Sequence, residues 1–307
     1  MTPSIEIDKI RAELVVQRVH EAFKQGKGLL AETADLVENQ IPNGVTPLSK
    51  EHALFLFYIV ANDHGMKSSR LYTQAKKLFA EHKELFAPKY VIDNFSSPDD
   101  PKLIEMTGKY LGTRYPKETA KSWFLNSQEL LDKYDGDARK LLTSTQDAKV
   151  LIKRIKAFRG YGPKIGGMFL RAAIGLGFAK VSGIDEVLVP VDIHDSRISF
   201  LTGIVRDNKN DKEKLNYYDY VTQVQKILLN TCNSLNLEWL DTDRALWLIG
   251  SRGCVNKRCV LCPLSDLCEV GQVVTQNIQT ETSSISQKTV KKKKSRSNPE
   301  FQSAVDL

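Results

Sequence analysis

The sequence has no apolar run long enough to cross a bilayer. Its longest, Ala53 to Ala61 (ALFLFYIVA), is nine residues, against the roughly 20 that a spanning helix needs. The N-terminal MTPSIEIDKI lacks a basic start followed by an apolar stretch, so no secretory leader is expected. The expected compartment is intracellular: cytoplasm and nucleoid in a bacterium, nucleus in a eukaryote. No internal repeat stands out, and convincing strands are scarce. What remains is a chain with 41% hydrophobic and 26% charged residues, the composition of a soluble globular protein. Its 307 residues suffice for one large core or two modest domains.

Charge is present but unevenly placed. The formal net charge is +7, of which the last 33 residues, from Thr275, carry +3. That segment is rich in Gln, Ser, Thr and Lys, holds the run Lys291 to Lys294, and is expected to be a disordered basic tail. The remaining +4 supports a nucleic-acid partner only weakly.

The body reads as helix after helix. Residues 5–25 form an amphipathic pattern with Ile10, Leu14, Val15, Val19 and Phe23 on one face. Residues 38–49, with two prolines and a glycine, read as a connector, and Thr46-Pro47 as the start of a buried helix. Asn62-Asp63-His64-Gly65 ends that helix, and Ser68 or Ser69 is expected to cap the next. Further helices are expected at 101–112, 117–133, 137–142, 148–158, 165–177, 193–203, 214–233 and 242–250, with Ser144 and Asp147 as a capping box before the 148–158 helix.

The segment Phe158-Arg159-Gly160-Tyr161-Gly162-Pro163-Lys164 joins two of these helices. Two glycines permit a tight turn, and Pro163 starts a helix where its missing amide proton costs nothing. Amides around Gly160, Tyr161 and Gly162 would form a phosphate site. On the G-x-G alone, an ordinary packing corner is the better reading. Lys164 shifts the balance. A cation in the first turn opposes the helix dipole, and that field with some burial is expected to lower its pKa and yield the neutral amine a nucleophile needs. A lysine that simply contacts phosphate is the alternative.

FRGYGPKIGG resembles the hairpin of the endonuclease III and 8-oxoguanine DNA glycosylase superfamily, L-P-G-V-G-x-K-x-A, with Phe158 and Arg159 in place of Leu-Pro. VPVDIHDSR resembles its V-D-x-H-x-x-R segment, 28 residues after the lysine, a longer spacing than that of endonuclease III. The likeness spans roughly residues 48–268. It implies an all-α, two-lobed fold of the helix-hairpin-helix glycosylase type. Residues 1–47 would pack on the C-terminal lobe, 48–180 would form the lobe with the hairpin, 181–274 the lobe with the catalytic aspartate, and 275–307 the tail. It implies a monomer acting on double-stranded DNA that carries a damaged or modified base. Lys164 would be the Schiff-base nucleophile and Asp192 the carboxylate facing the charged sugar. Asp192 also reads as a helix N-cap, with Asp195 completing a capping box. Asn62 falls where relatives insert a side chain into the gap left by the flipped base.

The implied activity is base excision, bifunctional with strand cleavage, with oxidised guanine as first choice of base. The alternatives are a monofunctional glycosylase using water and a non-catalytic DNA-binding module.

Four of the five cysteines fall within fifteen residues: Cys254, Cys259, Cys262 and Cys268. In a reducing compartment such a cluster reads as a metal site rather than a disulfide framework. The spacing resembles the endonuclease III iron-sulfur loop with its first gap shortened by two. It implies a [4Fe–4S] cluster, with zinc as the alternative. Arg252, Lys257 and Arg258 beside it are candidates for DNA-backbone contact. Cys232 reads as a core residue.

Overall fold

A computed structural model describes residues 5–207 and 215–277. Most of the expected tail, including Lys291 to Lys294, lies outside the described residues. Its first three residues do not: 275–277 end a helix that begins at 269.

Helix α1 (Lys9–Lys24) is started by Asp8, whose carboxylate accepts from the Arg11 amide at 2.9 Å. It buries Ala12, Val15, Val16, Val19 and Ala22. The expected face is therefore rotated: Ile10 is 82% exposed, and Leu14 is exposed too. The alanines at either end let α1 approach two later helices closely, which a Leu-Phe stripe would not.

Helix α2 (Lys50–Val60) follows a left-handed Leu48, φ 61°. That residue breaks any helix begun at Pro47, so the cap falls on Ser49, which accepts from the His52 amide at 3.2 Å. Every residue from His52 to Val60 is buried, making α2 the central rod of its lobe. Around it lie α3 (Ser68–Glu81), α4 (Pro88–Asn94), α5 (Pro101–Leu103, running into a π-helical turn Ile104–Lys109), α6 (Pro116–Tyr134) and α7 (Ala138–Leu142). Tyr58 of α2 stacks on Trp123 of α6 at 4.6 Å between ring centroids. Its hydroxyl meets that of Ser127 at 2.7 Å, so the polar end of the ring is satisfied in the core.

The hairpin helices are α8 (Ala148–Ile155) and α9 (Pro163–Leu176). Asp147 alone caps α8, accepting from the Lys149 and Val150 amides at 2.7 and 3.0 Å. Ser144 takes no part in the cap; its hydroxyl donates to the Leu141 carbonyl. The second lobe holds α10 (Ile193–Leu201), α11 (Val221–Ser234) and α12 (Trp239–Leu248), the last continuing as a π-helical turn, Ile249–Cys254. Helix α1 packs on α11 and α12. Beside it β1 (Glu6–Ile7) and β2 (Val205–Arg206) pair antiparallel, Glu6 opposite Arg206. Among the described residues these form the one sheet, and no helix is long and apolar enough to cross a membrane. The fold is all-α in class, as the sequence implies.

Candidate active site

The two segments picked out in the sequence meet in space. Lys164 sits in the first turn of α9, and Asp192 caps α10. The segment before Asp192 is held against α9 through Gly167, where a Cβ would lie 2.9 Å from Pro190. Only a glycine there lets the 188–191 strand of chain lie so near the helix. Lys164 Nζ and Asp192 Oδ2 are 3.3 Å apart, and both residues line a cleft of about 610 Å³. The cleft is also lined by Asp35, Asp63, His64, His194, Tyr218, Trp247 and Ser251.

Asp192 is capped and caps in turn. Its Oδ1 accepts from the His194 amide at 2.6 Å, and its own amide donates to Asp195 Oδ2 at 2.8 Å. This is the reciprocal box expected from the sequence. Burial pushes the Asp192 carboxyl up, but Lys164, His194 and the His194 amide outweigh it and hold the group below the ordinary carboxylate range. Asp195 goes the other way. It is 2% exposed, and burial beside Asp192 and Asp243 raises it well above that range. The two adjacent carboxyls are thus pushed in opposite directions.

Lys164 departs from expectation. Burial does push its ammonium toward neutrality. The carboxylates of Asp192 and Asp63 outweigh burial, and its pKa is raised, not lowered. The sequence pattern carried the helix-dipole argument but not the second and third acidic groups. His194 packs against Gly250, where a Cβ would come within 2.4 Å of the His194 Cβ and 2.9 Å of its ring. Burial lowers its pKa, and Arg197 and Lys164 add to that against the pull of Asp192. Arg197 reaches the His194 Nδ1 at 3.1 Å and the Gly250 carbonyl at 3.2 Å.

The hairpin glycines divide their work. Gly160 has φ +88°, and a Cβ on it would lie 2.6 Å from the Ala61 carbonyl oxygen. It is the residue that seats the turn on the end of α2. Gly162 has an ordinary φ of −70° and open space where its Cβ would be. It leaves a bare backbone before α9, whose start no side chain caps. Tyr161 is not part of that surface. Its ring is 2% exposed, its hydroxyl donates to the Phe57 carbonyl, and its amide donates to Phe158. Asn62 does not project either: it is 2% exposed, and its amide group donates to the Tyr58 carbonyl at 2.8 Å. The exposed neighbour is His64, which lines both the cleft and a second hollow beside Gly160.

Cys254, Cys259, Cys262 and Cys268 are all partly buried in one loop. Burial raises the thiols of Cys254 and Cys259 and pushes that of Cys262 up to about 12, with neighbouring cysteines adding to each. Four sulfur donors suit a thiolate-bound group, whose charge would have to offset these raised thiols. As the loop lies, however, no three Cys, His, Asp or Glu side chains among the described residues are gathered closely enough to hold a metal ion. Arg258 and Arg252 are engaged with Glu32 and Asp35, and Arg18 pairs with Asp266 at 2.5 Å. These pairs tie the loop to the N-terminal segment, so of the three basic residues expected near DNA only Lys257 is left without an ion pair among the described residues. Cys232 is fully buried in the core, where burial pushes its thiol up to about 11.

Sequence alone missed Asp63, His64, Tyr218, Trp247 and Asp35. They come from separated segments, and nothing local marks them as neighbours of Lys164.

No protein-family model matches the chain, and no curated protein matches it in sequence. Its backbone does match solved structures. A trapped endonuclease III–DNA covalent intermediate, in its estranged-adenine complex, aligns with TM-score 0.51 and 17% identity over 85% of this chain and 98% of that one. A thermostable thymine-DNA glycosylase aligns with TM-score 0.49 and 12% identity, over 86% and 97% of the two chains. The architecture is therefore the two-lobed helix-hairpin-helix glycosylase fold. Among the solved structures that share this backbone is that of endonuclease III.

Proposed function

We propose that this protein is a base-excision DNA glycosylase with strand-cleaving lyase activity, acting on a damaged or modified base in duplex DNA, with oxidised guanine as the first choice. The observation that carries the proposal is the Lys164–Asp192 pair, 3.3 Å apart in a cleft beside the hairpin. An extruded nucleotide fits the purpose of such a cleft. Departure of the base builds positive charge on the sugar, and Asp192, kept ionised, faces it. Lys164 then attacks the sugar C1′ and forms an imine, from which the 3′ phosphate leaves by elimination. Trp247 and Tyr218 supply ring faces on which a base can stack. Gly162 and the uncapped start of α9 supply backbone amides to a phosphate.

A second reading has water as nucleophile and Lys164 as a fixed cation. What favours it is the raised pKa of Lys164 between two carboxylates. Borohydride separates the two. In a panel of duplexes each carrying one altered base, the preferred lesion should give a reduced protein–DNA adduct that maps to Lys164. Base release with no adduct on any duplex would establish the monofunctional reading. Duplex binding with no base release at all would leave only a DNA-binding module.

The proposal includes the four-cysteine loop as the seat of a [4Fe–4S] cluster, with zinc as the alternative. Its support is the donor chemistry, four thiols in one short loop. Bound there, the group would fix the loop; the reaction at Lys164 does not run through it. Anaerobically purified protein should contain iron and acid-labile sulfide and absorb visible light. Stoichiometric zinc in colourless protein would replace the cluster in this reading.

A further inference from the structure

The cleft contains a third carboxylate that the Lys164–Asp192 chemistry leaves without a role. Asp63 lies in the turn after α2, is 6% exposed, and lines the cleft with Lys164 and Asp192. It is gripped from behind by two hydroxyls of α3: Ser68 donates to its Oδ1 at 2.8 Å, and Tyr72 to its Oδ2 at 3.2 Å. This explains why Ser68 does not cap α3, a role the sequence suggests for it; the helix starts after Lys67 with no side-chain cap. Ser68 and Tyr72 stand one helical turn apart, so both reach the same carboxyl.

Two carboxylates flanking one ammonium pose a chemical problem. An amine that attacks must first lose a proton, and something must hold it. Asp192 is ill suited. It is tied to the His194 amide and sits at a helix start, both of which favour its ionised form. It is also the group needed as an anion when the sugar becomes positive. Asp63 is in the opposite situation. It is buried among neutral hydroxyls, with no cation in contact with it among the described residues.

We propose that Asp63 is the proton acceptor for Lys164, with Ser68 and Tyr72 fixing its carboxyl toward the cleft. This rests on the glycosylase–lyase reading above. The Lys164 ammonium gives one proton to the Asp63 carboxylate. The bond from C1′ to the base breaks, its electron pair leaves with the base, the base takes the proton from Asp63, and the Lys164 lone pair then forms the bond to the positive C1′. Asp63 is thereby returned as a carboxylate. A second proton on the Lys164 nitrogen passes to O4′ as the sugar ring opens to the imine. The first transfer requires the lysine side chain, 39% exposed, to swing from Asp192 toward Asp63. The direction of the carboxyl shifts agrees with the division of labour: burial raises Asp63, with Asp192 adding to it, against Ser68, Lys164 and Tyr72, whereas Asp192 is lowered. Environments that push two carboxyls apart separate acid–base work from charge stabilisation. Asp35 and Arg171 share a small lined space with Asp63 and Tyr72; the other charged groups that act on this pair are Lys164 and Asp192 on Asp63 and Glu38 on Tyr72.

The test uses a duplex with a preformed abasic site, so the identity of the excised base does not enter. Rates of borohydride-trapped adduct are measured under single-turnover conditions from pH 5 to pH 9. Asp63→Asn should slow adduct formation by about 10²-fold near neutrality, the low end of what a positioned base contributes. The rate should then climb steadily with pH, because the amine must lose its proton to solvent. Tyr72→Phe should fold well and keep Asp63. Losing one donor to the carboxylate raises the pKa of Asp63, so the rising limb of the pH profile should move to higher pH. A purely structural Asp63 would lower the rate through lost fold or affinity without moving that limb. An Asp63→Asn protein with the wild-type rate and profile, or an unmoved limb in Tyr72→Phe, overturns the proposal. A wild-type protein that gives no adduct overturns the lyase reading itself, and this inference with it.

Discussion

Asp192→Asn should bind duplex DNA as the wild type does and lose base excision by about 10²- to 10³-fold, the scale seen when one preorganised electrostatic contact to a developing charge is removed. The substitution isolates charge from structure. Asparagine caps helices as well as aspartate does. Its side-chain oxygen can still accept from the His194 amide, and the backbone bond from residue 192 to Asp195 does not depend on the side chain. Helix α10 should therefore start where it does now. What disappears is the anion 3.3 Å from Lys164. Lys164→Ala makes the complementary test. It should abolish the borohydride adduct altogether, because Lys164 is the lysine that meets Asp192, and the cleft's other lysine, Lys67, makes no ion pair with it among the described residues. Single-turnover excision and peptide mapping read both variants. An adduct of wild-type yield in Lys164→Ala, mapped to Lys67 or elsewhere, would move the nucleophile. Undiminished excision in Asp192→Asn would remove the carboxylate from the chemistry.

The parts of this site that sequence made legible are those encoded within a few residues. Pro163 beginning α9, the glycine before it with open flanks, and the Asp192–Asp195 box are local events, and they fold as their spacing implies. Errors arise where a partner from elsewhere in the chain decides. Ser68 reads as a cap from its position, but the hydroxyl is drawn to Asp63 across the turn. Tyr161 reads as a phosphate contact from its place between glycines, but the ring drops against Phe57 and Phe169. The raised pKa of Lys164 is of the same kind. The dipole of α9 follows from sequence, while Asp192 and then Asp63, the latter 101 residues away along the chain, reverse the sign of the outcome. Even on α1, whose heptad-like pattern offers two overlapping faces, it is the neighbouring α11 and α12 that select the alanine-flanked one.

The same logic of distant partners governs what holds the cleft together. Arg171, on the inner face of α9, is 3% exposed. Its guanidinium pairs with Asp243 of α12 and, at 3.0 Å, with Glu38 from the short helical turn Val37–Asn39. Arg244 of α12 meets the same Glu38 oxygen at 2.8 Å and Asp241 at 2.7 Å. Its side chain passes over α9 at Gly175, where a Cβ would lie 2.2 Å from its Nη2. The N-terminal segment, the hairpin helix and the second lobe are thus joined through one buried cluster of charges. Burial pushes Glu38 up, but Arg171 and Arg244 outweigh it and hold its carboxyl low. A buried pair of this kind need not be better than an apolar core, yet breaking it from one side is costly, because the partner stays buried and charged. Arg171→Met should therefore destabilise the protein by about 3–5 kcal/mol at pH 7. The methionine fills much of the space and leaves Asp243 without its cation, while Glu38 keeps Arg244. Arg244→Met should cost less, because Glu38 keeps Arg171 and Asp241 keeps Lys24, at 2.7 Å. The pH dependence has a definite sign. Burial already raises the Asp243 carboxyl to about 6 with Arg171 in place, and losing Arg171 in Arg171→Met raises it further above that of the unfolded chain. The added penalty is full where Asp243 is ionised in the wild type, and it shrinks as pH falls through the raised folded values. The gap between Arg171→Met and wild type should accordingly be narrower at pH 5 than at pH 7 in urea unfolding. An equal gap at both pH values would mean that the loss comes from packing alone, and a gap below about 1 kcal/mol would mean that water reaches the carboxylates and the cluster is no structural joint.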